Sequence, residues 1–196
     1  VVMFDPPDFT DPASCDNEFL LQSSLWACML GDRRGSYQFD EYDRMVIPAT
    51  DVESQAVVLF GSDVKLEHKT IGDMENAYQY DSEIASYHVP IIAMTGFATP
   101  RVEKITMKQD GCQLIIGYVP PTTVLSINYD SSGDLEEEPS KYMLYELRKA
   151  DKTFYLYAVS TITGDTRVDG EFDPATGRVD NFSSSSGGLS SSMVSP

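Results

Sequence analysis

Residues 101–119, RVEKITMKQDGCQLIIGYV, decide the fold class. On either side of Asp110-Gly111 the apolar side chains follow a period of two, and an Asp-Gly pair between two such runs is a strong hairpin signal. Strands are therefore expected at about 96–108 and 112–120. Leu114, Ile116 and Tyr118 share one face, opposite Ile115 and Val119, and Ile105 and Met107 pair across the turn.

The same period extends outward from this hairpin. Upstream, Tyr78, Tyr80, Tyr87 and Val89 flank Asp81-Ser82-Glu83-Ile84-Ala85 as an earlier hairpin. Downstream, a strand is expected near 123–129, then an acidic loop over 130–140. Residues 141–148 and 153–161 form a further hairpin around Ala150-Asp151-Lys152. Pro174 and Gly177 supply the turn dihedrals of a last hairpin within 166–181.

Helices come first in the chain. Between Asp16 and Leu30, Phe19, Leu20, Ser23, Trp26, Ala27 and Leu30 lie at helical spacing; Asp11-Pro12 or Asp16 starts that helix and Gly31 ends it. Thr50-Asp51-Val52-Glu53 reads as a capping box for a second helix, whose apolar face is Val52, Ala56, Leu59 and Phe60 and whose left-handed stop is Gly61. Residues 37–48 between them leave room for a short strand or helical turn. Helices followed by antiparallel strands define an α+β protein, with the helices packed on a curved antiparallel sheet. The organisation expected is an extended arm or linker over 1–13, one domain over 14–182 and a flexible Ser/Gly-rich tail over 183–196.

The 196 residues carry 31 acidic against 14 basic side chains, a formal charge of −17. Such a field repels phosphate backbones, which argues against nucleic acid as a partner. No stretch reaches the roughly 18–20 apolar residues of a membrane-spanning helix. The start at Val1-Val2-Met3 is read as the trimmed end of a longer chain, so that any membrane anchor is expected in a segment absent from this one. Cys15, Cys28 and Cys112 are odd in number and widely spaced, which suits neither a disulfide framework nor a metal knuckle.

Chemistry-bearing motifs are few. His68 falls in a loop after the second helix. His88 lies on the strand face opposite Tyr87 and Val89 and points to solvent if those two are in the core. Residues 130–141 resemble a calcium loop only loosely, because position six is Leu135 and position twelve is Lys141. No nucleophile elbow, Ser-x-x-Lys box or glycine-rich phosphate loop occurs, so no cofactor and no metal are expected. Eleven tyrosines remain, most in or beside strands, where a ring packs and a hydroxyl reaches a polar edge.

Three stretches carry a resemblance: Ile47-Pro48-Ala49-Thr50-Asp51-Val52-Glu53 with Leu59-Phe60-Gly61, then Tyr78-Gln79-Tyr80-Asp81 with Tyr87-His88-Val89-Pro90, then Pro100-Arg101-Val102-Glu103-Lys104-Ile105. Together, over residues 45–110, they resemble uncharacterised exported or membrane-anchored domains of Gram-positive bacteria, themselves similar to the nuclear-transport-factor-two-like and cystatin-like cone folds. The resemblance implies an extracellular or cell-surface location. In enzymes of that fold it would also imply an Asp or His among aromatics within a pocket, for which Asp81 and His88 are the candidates.

The expected function is a non-enzymatic extracytoplasmic domain that binds a peptide, wall fragment or protein. Tyr78, Tyr80, Asp81, His88 and Tyr118 are its candidate ligand contacts. The alternatives are a small-molecule isomerase or hydrolase with a pocket between helices and sheet, and a structural spacer that associates with itself.

Overall fold

The computed structural model describes residues 6–73, 77–91, 97–121 and 139–163, together with the backbone of 171–173 and 178–180. Helix α1 spans Asn17–Leu30 and α2 Ala49–Phe60. Strands β1 (Gln38–Phe39), β2 (Met45–Pro48), β3 (Gln79–Asp81) and β4 (Ser86–Val89) make one antiparallel sheet in the order β1-β2-β4-β3. Strands β5 (Thr99–Met107), β6 (Gly111–Val119), β7 (Lys141–Ala150) and β8 (Thr153–Ile162) make a second, antiparallel and in chain order. A two-stranded ribbon of β9 (Glu171–Asp173) and β10 (Arg178–Asp180) follows. The protein is α+β, but its main strands divide into two sheets where one was expected.

The helix pair lies between those sheets. On one side Phe19 and Leu20 of α1 and Phe60 of α2 join Ile116, Tyr118, Met143, Tyr145, Leu156 and Val159 of the larger sheet. On the other, Leu21, Leu25, Cys28 and Met29 of α1 and Val52 of α2 join Met45, Ile47, Tyr87 and Val89 of the smaller one, with Tyr78 just before β3. A helix covered on two sides needs apolar residues around most of its circumference. This is why the expected single stripe on α1 fails at its end: Leu30 is exposed, while Leu21, Leu25, Cys28 and Met29, outside that stripe, are buried. Ser24 tolerates the same burial because its hydroxyl donates to the Leu20 carbonyl at 2.7 Å.

Local signals predicted position better than mechanism. The capping box does not form: α2 begins one residue before Thr50, and its N-cap is Pro48, without a side-chain cap. Thr50 instead offers its carbonyl to the Ser54 hydroxyl, and Glu53 reaches His68. Gly61 does end α2, with φ +89° and ψ 171°, a region close to exclusive to glycine and distinct from the left-handed helical one expected. Gly111 opens β6 beside a turn over 108–110, where the Lys108 N–H donates to the Gly111 carbonyl. A β-carbon on Gly111 would lie 1.9 Å from the Leu147 oxygen, so glycine is needed there for close strand approach.

The faces of the β5–β6 hairpin are as the alternation predicts, but its two-residue turn is Gln109-Asp110, one position before the expected Asp110-Gly111. Ile105 faces Leu114 and Met107 faces Cys112, with a bulge between Val102 and Lys104. Ile115 joins Leu144 and Ile162 in a small cluster on the other face. Phe9, from the expected arm, is buried and exchanges two 2.9 Å backbone hydrogen bonds with Val159 on the edge of β8, while the Asp8 carboxylate accepts from the Thr161 N–H and hydroxyl. The expected strand at 123–129, the calcium-like stretch through Glu138, the turn 174–177 and the tail lie outside the described residues.

The backbone at Gly61 gives a direct test. Gly61→Ala places a β-carbon 3.0 Å from the Tyr155 ring in a glycine-only conformation, and should destabilise by about 1–3 kcal/mol in urea titrations. Gly35→Ala meets nothing within 4 Å and should stay within about 0.5 kcal/mol.

Candidate functional site

Strand pairing in the smaller sheet collects the polar side chains. His88 sits opposite Val46 on one neighbour and Gln79 on the other, so the two strands flanking β4 place their side chains on either side of its imidazole. Its neighbours Tyr87 and Val89 are fully buried. His88 therefore takes the outer face, yet its side chain is only 18% exposed, because Asp40 covers it at 2.7 Å from Nδ1.

Asp40 organises this face. It precedes a tight turn whose Asp43 has φ +57°, and its Oδ1 accepts from the N–H groups of Tyr42 and Arg44, the pattern of an Asx turn. Its Oδ2 takes the Arg44 guanidinium and His88. Burial alone would raise the Asp40 pKa. The Arg44 N–H, His88, the Arg44 side chain and the Tyr42 N–H outweigh that and hold the carboxyl well below the usual carboxylate range. Arg44 also donates to Gln79 Oε1 at 2.5 Å, completing a row across β2, β4 and β3.

Beside the row lies a shallow concavity of about 610 Å³, lined by Arg44, Thr70, Gln79, Tyr80, His88 and the turn Asp81–Glu83. Thr70 Oγ1 accepts from the Tyr80 N–H, and Asp81 Oδ1 accepts from the Glu83 N–H, so the rim is tied to the β3–β4 turn. Under this rim is an aromatic group. The His68 ring stacks on Tyr80 at 5.2 Å, Tyr80 meets Tyr87 at 5.0 Å, and His68 bonds the Tyr87 hydroxyl through Nδ1 and Glu53 through Nε2. Burial of Tyr87 pushes its pKa up to about 12; the Lys69 N–H on its oxygen offsets part of this, and Tyr80 adds to it. The phenol therefore stays neutral at physiological pH.

Of the five candidates, Tyr80, Asp81 and His88 line this one concavity. Tyr78 lies beneath it in the core, with its pKa raised by burial and Trp26 offsetting part of the rise. Tyr118 lies in the other core, where its hydroxyl meets that of Tyr145. Sequence reasoning missed Asp40, Arg44, Gln79, Glu53 and His68 as partners. The Asx-turn spacing Asp40-x-x-x-Arg44 is a readable signal for the first two; His68 and Glu53 come together only through the loop that follows α2. Among the described residues no three His, Cys, Asp or Glu side chains converge as a metal site, and no helix is long and apolar enough to cross a membrane.

A larger groove of about 1240 Å³ runs between the C-terminal half of α2 and the β7–β8 hairpin, and contains none of the five candidates. Comparison with protein-family models, curated proteins and solved structures gives no match to this chain.

Two substitutions probe the geometry. Tyr87→Phe removes the hydroxyl from His68 and from the Lys69 N–H while leaving the ring, and should cost about 1–3 kcal/mol in urea unfolding. Asp40 has a folded pKa below its unfolded value, so its contribution is present above about pH 4 and lost as the pH falls through the folded value. The wild-type chain should therefore lose stability steadily below about pH 4, and Asp40→Asn should flatten that slope in acid unfolding curves.

Proposed function

We propose that this chain is a non-enzymatic binding domain whose ligand, a peptide or wall fragment, docks in the concavity beside β3 and β4. One observation carries the reading: Asp81, Glu83 and His88 open onto the same polar surface, with Tyr80 at its edge, fixed from behind by the Asp40–Arg44–Gln79 row. His88 and Arg44 are held by Asp40, which makes them a rigid backing. The Tyr80 ring is packed behind this surface on His68 and Tyr87, while Asp81 and Glu83 offer carboxylates suited to hydroxyl or ammonium groups. A pre-set surface of this kind lowers the ordering cost of binding.

The extracytoplasmic location is part of the proposal and rests on the likeness of residues 45–110 to exported domains. The link to the cone folds rests on that likeness and on an antiparallel meander with helices on one face. A cone-type enzyme would keep its pocket between α2 and that meander. Phe19, Phe60, Tyr118, Tyr145 and Leu156 fill the core of that space, and it opens as the larger groove at the hairpin end; the packed core favours the binding reading.

Soluble muropeptides titrated into labelled protein should shift the amide signals of residues 79–83 and 88 in NMR spectra. Asp81→Asn combined with Glu83→Gln should weaken that binding about tenfold. Shifts confined to other surfaces, or turnover of the added fragment, would sink the proposal.

A further inference from the structure

The groove between α2 and the β7–β8 hairpin has a different character from the concavity and is independent of it. Its helix side carries Val57 and Val58, consecutive apolar residues that are 47% and 58% exposed, above a floor formed by Phe60 and Tyr155. Its hairpin side carries Arg148, Lys149 and Lys152 with one carboxylate, Asp151. In a chain of net charge −17 this exposed hairpin is a local reversal of sign. Arg148 is also pre-positioned, its guanidinium carbon 3.2 Å from the centre of the Tyr157 ring. The groove's other carboxylates, Asp11 and Asp63, come from the arm and the loop after α2, and Asp11 is turned onto the Ala13 N–H.

Backbone pairing adds a second line of argument. β8 is an edge strand, and Phe9 occupies that edge at Val159. Among the described residues no strand pairs with the outer side of 153–157, although the single turn Pro12–Ser14 that follows Phe9 packs against β8, and Thr153, Tyr155 and Tyr157 all line the groove. An open edge beside an apolar ledge accepts an extended segment through backbone hydrogen bonds, with alternate side chains going to opposite walls.

We propose that the groove takes an acidic, β-branched extended peptide from a partner, added antiparallel or parallel to β8, with apolar side chains on Val57 and Val58 and carboxylates on Arg148, Lys149 and Lys152. The field of the hairpin selects the sign of the peptide, and the open strand edge fixes its conformation.

The test uses the whole chain and two fluorescein-labelled hexapeptides, Glu-Val-Asp-Val-Glu-Ser and its charge-reversed counterpart Lys-Val-Lys-Val-Lys-Ser, read by anisotropy and by NMR amide shifts. The acidic peptide should bind at least tenfold more tightly than the basic one, weaken with added salt, and shift residues 57–63 and 148–157. Lys149→Glu with Lys152→Glu should reduce its affinity at least tenfold, and Val58→Asp, on the opposite wall, should do so independently. Unchanged far-UV circular dichroism and urea midpoints certify that each variant folds. Equal binding of both peptides, no binding, or shifts outside the groove would overturn the proposal. Concentration-dependent shifts of groove residues without peptide would overturn it too, by making a second copy of the chain the occupant.

Discussion

Burial of α1 between two sheets is the constraint on which the remaining structure depends. Phe19 and Leu20 close the core against β6, β7 and β8, while Leu21, Leu25, Cys28 and Met29 close the other against β2, β3 and β4. A charged side chain on either flank of this helix would strip apolar contact from one sheet or the other, whereas the small Ser23 and Ser24 are buried with it. α2 shares the task at its two ends, Val52 toward the smaller sheet and Phe60 toward the larger. The smaller sheet is then free to expose its outer face, and there the polar row of Asp40, Arg44, His88 and Gln79 is assembled.

Elements whose character is set by neighbours in the chain were legible in the sequence. The hairpins of β3–β4, β5–β6 and β7–β8 follow from alternation and turn residues, and both helices lie within a residue or two of their expected spans. Division of the strands into two sheets was not legible, because period-two alternation reports that a strand has a buried side and is silent on what covers it. The low amphipathicity of α1 was the available clue. Leu21 and Leu25 sit off the chosen stripe, and a helix with apolar residues on several sides belongs in an interior.

The candidate site was legible to the same extent. Tyr80, Asp81 and His88 lie on one hairpin and its flanks, so local reading could group them. Tyr78 and Tyr118 share their residue type but belong to two cores. Asp40 reaches His88 across 48 positions of sequence and Glu53 reaches His68 across 15, distances that only tertiary structure closes. The thiol of Cys28 illustrates the reverse: burial, partly offset by Tyr37, pushes its pKa up to about 11, in keeping with a cysteine that serves as a small apolar residue.

The pairing of Phe9 with β8 has a mechanical side. Two backbone hydrogen bonds at Val159 and the Asp8 carboxylate on Thr161 lie along one strand edge, with the Phe9 ring locked against Phe19. Tension applied at residue 6 along that edge loads these contacts in parallel, in shear, so they must rupture together. A pull at residue 6 is thus shared between β8, through the Val159 and Thr161 contacts, and α1, through the Phe9–Phe19 ring contact.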